Sequence, residues 1–124
     1  MAHRILIIDD ESDIREVAAL SLETLAGWEV MVASSGAQGL ARAATYQPDA
    51  ILLDVMMPGM DGPTTFKELR KNPTTAHIPV LLLTAKVQAS DQHLFANLDV
   101  AAVLTKPFDP LTLSNQVAGV LGWK

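Results

Sequence analysis

Five short apolar runs, each followed by a longer segment at helical spacing, constrain the fold of this chain more than any other feature of its sequence. The runs are Arg4–Ile8, Glu29–Ala33, Ala50–Leu53, Val80–Leu83 and Ala101–Leu104. Most are continuous rather than alternating, the pattern of strands buried on both faces of a parallel sheet. The segments between them carry helix signals. Ser12 reads as an N-cap, followed by a stripe of Ile14, Val17, Ala18, Ser21, Leu22 and Leu25 that Gly27 ends. Ser35-x-x-Gln38 is a capping-box pattern, with Ala37, Leu40, Ala41 and Ala44 facing inward before Pro48 stops the helix. Asp61 starts a third helix that tolerates Pro63 in its first turn and turns Phe66 and Leu69 inward up to Asn72-Pro73. A fourth spans roughly Ala89 to Leu98. The fifth follows Asp109-Pro110, with Leu113, Val117, Val120 and Leu121 in helical phase.

Five βα units with right-handed crossovers give an α/β fold: a flavodoxin-like (βα)5 three-layer sandwich around a parallel five-stranded sheet of order 2-1-3-4-5. A length of 124 residues suits one domain, 1–124. The net charge of −5 and the lack of any basic run argue against a surface that tracks nucleic-acid phosphates. No cysteine is present, which removes disulfides, thiol nucleophiles and Cys-based zinc sites. The apolar run Ile5–Ile8 is too short for a signal sequence or a membrane span, so a cytoplasmic location is the default expectation. His3, His77 and His93 are too scattered for a metal cluster and read as surface or edge residues.

In a doubly wound sheet, ligands sit outside the carboxyl ends of the strands, near the point where strand order reverses. The first run ends in Asp9-Asp10-Glu11, the third in Asp54, the fourth in Thr84-Ala85-Lys86 and the fifth in Lys106-Pro107. Each residue also has an ordinary reading. Asp9 or Glu11 can cap a helix, Asp54 can form a turn, Thr84 can be a strand-end hydroxyl and Lys106 a solvated charge. Together they offer something more specific. Three converging carboxylates repel unless a cation lies between them, and Mg²⁺ prefers such oxygen ligands. A hydroxyl donor and a compact positive charge complete what a phosphoryl group needs. Asp9, Asp10 and Asp54 against Lys106 carry −2 of the net −5.

These residues stand in four motifs: ILIIDDE at Ile5–Glu11, ILLDVMMPGMDG at Ile51–Gly62, VLLLTA at Val80–Ala85 and LTKPFDP at Leu104–Pro110. Over essentially its whole length the chain resembles receiver domains of two-component response regulators, similar to the stand-alone chemotaxis type. The resemblance implies a phosphorylation switch rather than an enzyme. It makes Asp54 the phosphoacceptor, served by a sensor histidine kinase, a phosphotransfer protein or a small acyl phosphate. It further implies Mg²⁺ held by Asp9, Asp10, Asp54 and the backbone carbonyl of Met56, with Thr84 and Lys106 on the phosphoryl oxygens. Ala85 would keep the entrance open, and a cis peptide between Lys106 and Pro107 would aim the lysine inward. The partner face implied is the fourth helix, fifth strand and fifth helix, where Gln88, Asp91, Gln92, Asn97, Asp109, Asn115 and Gln116 are polar. A kinase, an effector or a second copy of the chain would fit it. With no effector segment after Leu121, output by contact is expected.

Three positions depart from the common family pattern. Val103 stands where an aromatic ring often swings inward, so a ring-flip switch cannot operate. Asp99 occupies a turn position where glycine is frequent, which predicts a left-handed conformation at some cost. Met56 and Lys86 flank the path of an attacking water, and methionine cannot orient water, so slow loss of phosphate is expected. The alternative within the family is a degenerate receiver that binds proteins without phosphorylation. A haloacid dehalogenase-like phosphatase needs a second acid two residues after its nucleophile, where this chain has Met56. A nucleotide-binding module needs a Gly-x-Gly-x-x-Gly or Gly-Lys-Thr signature that is not present. Gly59 and Gly62 read as parts of the Pro58-Gly59 turn.

Overall fold

A computed structural model describes residues 2–85 and 98–123. The parallel sheet consists of β1 (Arg4–Ile8), β2 (Glu29–Ala33), β3 (Ala50–Asp54), β4 (Val80–Thr84) and β5 (Ala102–Thr105). Its spatial order is β2-β1-β3-β4-β5, as the alternation of runs predicts. Helices α1 (Ser12–Ala26), α2 (Gly36–Tyr46), α3 (Gly62–Lys71) and a C-terminal helix (Leu113–Leu121) cover its faces. The fourth predicted helix, Ala89 to Leu98, lies outside the described residues apart from its last position. Among the described residues no helix is long and apolar enough to cross a membrane.

The central strands β3 and β4 are buried throughout, whereas β2 and β5, at the sheet edges, are mostly half-buried or exposed. Pleating divides the apolar runs between two cores. Leu6, Ile8, Ile51, Leu53, Val80 and Leu82 pack beneath α2 and α3 with Ala43, Phe66 and Leu69. Ile5, Ile7, Ala50, Leu52 and Leu81 pack on the other side with Ala18, Leu22, Leu113 and Val117 of α1 and the C-terminal helix.

Local differences from expectation have identifiable causes. Helix α1 takes Glu11, not Ser12, as its N-cap, because Asp9 Oδ1 accepts the Glu11 N–H at 2.9 Å and turns the chain one residue earlier. Ser35 does cap α2, accepting from Gln38 N–H at 3.1 Å, while the Gln38 side chain reaches back to Ser34 N–H. The buried face of α2 is Gly36, Gly39 and Ala43 rather than Ala37 and Ala41, which are exposed. A Cβ on Gly39 would stand 2.9 Å from Ile8 Cγ1, so the helix lies close against β1 and presents its smallest residues to it. On α1, Val17 and Leu25 fall outside the buried stripe, as does Val120 on the C-terminal helix. Strand β5 starts and ends one residue later than its apolar run. Among non-glycine residues described, only Gln47 has positive φ (53°), so Asp99 is not left-handed; it lies instead where its charge supports that of Arg70.

At the amino ends of the strands, opposite the acidic residues, three rings lock together. His3 stacks on Trp123 at 3.9 Å between centroids, and Trp28 meets the Trp123 ring edge-on at 5.1 Å. His3 is thus an edge residue, consistent with its expected role.

Candidate functional site

The register brings the acids together. Ile8 pairs with Leu53 across β1 and β3, so one step further along both strands places Asp9 beside Asp54. Asp10 follows on the turn into α1. Asp9 and Asp54 are buried while Asp10 is exposed, and the three each present a carboxylate oxygen within 4.8 Å of the others. Thr84 ends β4, also buried, and its carbonyl accepts the Lys106 N–H at 2.8 Å. The Lys106–Pro107 peptide is cis, as expected.

Lys106 Nζ lies 2.9 Å from Asp9 Oδ2 and 3.1 Å from Asp54 Oδ1, with Glu11 Oε1 further out at 3.7 Å. The lysine therefore neutralises part of a carboxylate pair that would otherwise be intolerable in a buried site. Burial pushes the Asp54 carboxyl up from 3.8 to about 6; the charge of Asp9 adds to the rise, and Lys106 and the Met56 N–H oppose it. Burial pulls Lys106 down, but its bonds to Asp9 and Asp54 prevail and hold the ammonium above its ordinary range. Asp54 Oδ2 is buried without a hydrogen-bond partner, as is Asp9 Oδ2, which faces Lys106 Nζ only as an ion pair. An all-oxygen donor set with two such buried, partly neutralised carboxylates fits a hard divalent cation such as Mg²⁺.

Gly62 and Arg15, and a second contact of Met56, escaped the reading of residue types. Gly62 opens α3 directly against the end of β3: an added Cβ would stand 2.8 Å from Val55 Cα and nearer still to the Asp54 carbonyl oxygen. Its N–H donates to Val55 O at 2.9 Å. Met56, singled out for its carbonyl, also gives its backbone N–H to the Asp54 carboxylate. Arg15, on the first turns of α1, donates from Nη1 to the Asp9 carbonyl at 2.8 Å. The DG at Asp61-Gly62 was the one sequence signal for any of these, and it reads equally as a plain helix start. Lys86 and the polar residues at positions 88–97 lie outside the described residues. Val103 is half-exposed on β5.

A doubly wound sheet that gathers an acidic trio, a lysine and a threonine at neighbouring strand ends defines a class of α/β domains with an acidic, cation-fitting pocket at the carboxyl edge of the sheet. Residues 5–118 match the family described as the response regulator receiver domain, and the chain belongs to that family. It is 42% identical over 118 residues to the DNA-binding dual master transcriptional regulator RpaA of Synechocystis sp., covering 95% of this chain and 48% of that protein. The chain spans between about a quarter and a half of the length of such curated relatives. Its structure superposes on Vibrio cholerae chemotaxis protein CheY4 with a TM-score of 0.89 at 31% identity, over 97% of this chain and 99% of that one. The receiver domain of sensor histidine kinase PA1611 from Pseudomonas aeruginosa, described with a magnesium ion coordinated in its active-site cleft, gives 0.87 at 26% identity over 98% and 99%. Receiver domains are signalling modules rather than enzymes, and they bind Mg²⁺ at an acidic pocket.

Proposed function

We propose that this chain is a phospho-accepting receiver in a two-component phosphorelay, with residues 1–124 forming one domain and Asp54 the phosphoacceptor. One observation carries the reading: Lys106 Nζ bridges Asp9 and Asp54 while Asp54 Oδ2 stays buried without a hydrogen-bond partner. A carboxylate oxygen of Asp54 attacks phosphorus in line. The bond from phosphorus to the imidazole nitrogen of a kinase phosphohistidine, or to the acyl oxygen of a small phosphodonor, breaks with its electron pair leaving on the donor. The product is an aspartyl phosphate. Lys106 then exchanges a carboxylate partner for a phosphoryl oxygen, and Thr84 offers its hydroxyl to another. Asp9, Asp10, Asp54 and the Met56 carbonyl are the residues that would hold Mg²⁺, whose role is to neutralise the gathering negative charge.

Phosphorylation is read out as altered protein contact, on the face built from the fourth predicted helix, β5 and the C-terminal helix. The donor is a sensor histidine kinase or a phosphotransfer protein, the receiving partner an effector or a second copy, and a cytoplasmic location accompanies that role. With valine at 103, the signal passes through a shift of the segment that follows β4, or through filling of the space beside Thr84, rather than through a ring. Incubation with acetyl phosphate and Mg²⁺, followed by intact mass measurement, tests the reading. Wild type gains one phosphoryl group and Asp54→Asn gains none; no adduct on wild type, or an equal adduct on the variant, overturns it and favours a phosphorylation-independent binding module.

A further inference from the structure

The three acids of the site are not held alike. Asp9 is fixed through both oxygens, by Glu11 N–H and by Lys106, and Asp54 by Lys106 and the Met56 N–H. Asp10 is exposed, and its carboxylate has no hydrogen bond or ion pair among the described residues, yet one of its oxygens lies within 4.8 Å of oxygens on both neighbours. Among the described residues, it is the backbone that aims it there.

That stretch of backbone lies between two elements. Asp9 N–H still belongs to the sheet, donating to Ala33 O at 3.1 Å, whereas Glu11 is extended at φ −89°, ψ 118° and helical geometry begins only at Ser12. The peptide joining Asp9 to Asp10 is a rigid plane, so the direction of the Asp9 carbonyl sets the plane from which Asp10 departs. Arg15 Nη1 holds that carbonyl at 2.8 Å. Among the described residues Arg15 makes no ion pair, and none of their carboxylates competes for its guanidinium. Its place on α1 is secured by its own N–H to Glu11 O at 3.1 Å.

We propose that Arg15 is a positioning residue for the cation site: by holding the Asp9 carbonyl it keeps the Asp10 carboxylate turned toward Asp9 and Asp54. This rests on reading the acidic trio as a Mg²⁺ site. It predicts an effect opposite in sign to that of simple charge. Removing a guanidinium near three acids should tighten cation binding if Arg15 acts only through its field. If Arg15 aims a ligand, its removal loosens binding, and groups that orient metal ligands from behind are worth roughly tenfold or more in affinity.

Titration of Mg²⁺ alone into the full chain by calorimetry, with Arg15→Met, Arg15→Lys and Asp10→Asn beside wild type, separates these outcomes. Arg15→Met is expected to bind Mg²⁺ about tenfold more weakly than wild type, and Arg15→Lys, which keeps one donor and the charge, to lose less. Melting without Mg²⁺ shows whether each variant folds. Unchanged or tighter binding in Arg15→Met overturns the proposal, and so does unchanged binding in Arg15→Lys if Arg15→Met does not fold. Wild type that takes no Mg²⁺, or Asp10→Asn that binds as well as wild type, overturns the metal reading itself. Loss in Asp10→Asn with no effect of Arg15 overturns only the role of Arg15.

Discussion

Gly62 shows how much of the site depends on what a residue lacks. With Val55 Cα only 2.8 Å from where its Cβ would be, and backbone rather than a flexible side chain in the way, α3 must move or β3 must bend. Gly62→Ala is expected to cost about 1–3 kcal/mol by overpacking, read as a lower urea midpoint, and to slow phosphorylation because the displaced group is the Asp54 main chain. Asp54 carries a cost of its own. Its folded-state pKa of about 6 against an ordinary 3.8 means the folded protein takes up this proton more readily than the unfolded chain. The stabilisation that protonation brings is present in acid and is lost as pH rises through about 6. Without Mg²⁺, the urea midpoint should therefore fall between pH 5 and pH 7. Asp54→Asn should flatten that fall and be more stable at pH 7, by on the order of 2 kcal/mol. Met56 is exposed and cannot orient water, so Met56→Asn should shorten the lifetime of the phosphorylated form, followed as loss of the mass adduct; an unchanged or longer lifetime would count against this role.

At the scale of elements, the caps repay attention. Asp61 accepts Thr64 N–H at 2.8 Å, and those bonds hold its carboxyl below the ordinary range. Its contribution has the opposite sign to that of Asp54: it is present above the ordinary carboxylate pKa and lost on acidification. Asp61→Ala should lower stability by about 1 kcal/mol near neutral pH and by less in acid, measured by the same urea titration. The order of the elements was legible because apolar runs of strand length recur between helical segments, and the order 2-1-3-4-5 is the natural small way to bury five of them under helices on both faces. Helix faces were less legible. The pattern on α2 placed Ala37 and Ala41 inside, but close packing on Ile8 favoured Gly36 and Gly39, and a preference for the smallest side chain leaves no mark in a hydrophobic periodicity. The start of α1 misled for a related reason: Ser12 offers the usual cap, but the Asp9 side chain had already turned the chain.

For the molecule as a whole, the candidate site was legible to the extent that it consists of side chains at strand ends, since the sheet order alone brings Asp9, Asp54, Thr84 and Lys106 to one edge. Gly62 and Arg15 were not legible, because each acts on a carbonyl or an α-carbon rather than through a group that its residue type advertises. The two tryptophans, Trp28 and Trp123, sit with His3 at the amino ends of the strands. Five-residue strands at about 3.3 Å per residue put the sheet's length, roughly 17 Å, between them and the acids. Intrinsic fluorescence is therefore a gauge of whether the sheet is intact and is blind to what occupies its far end. A change in emission on adding a phosphodonor would mean that the site had pulled on the sheet along its full length.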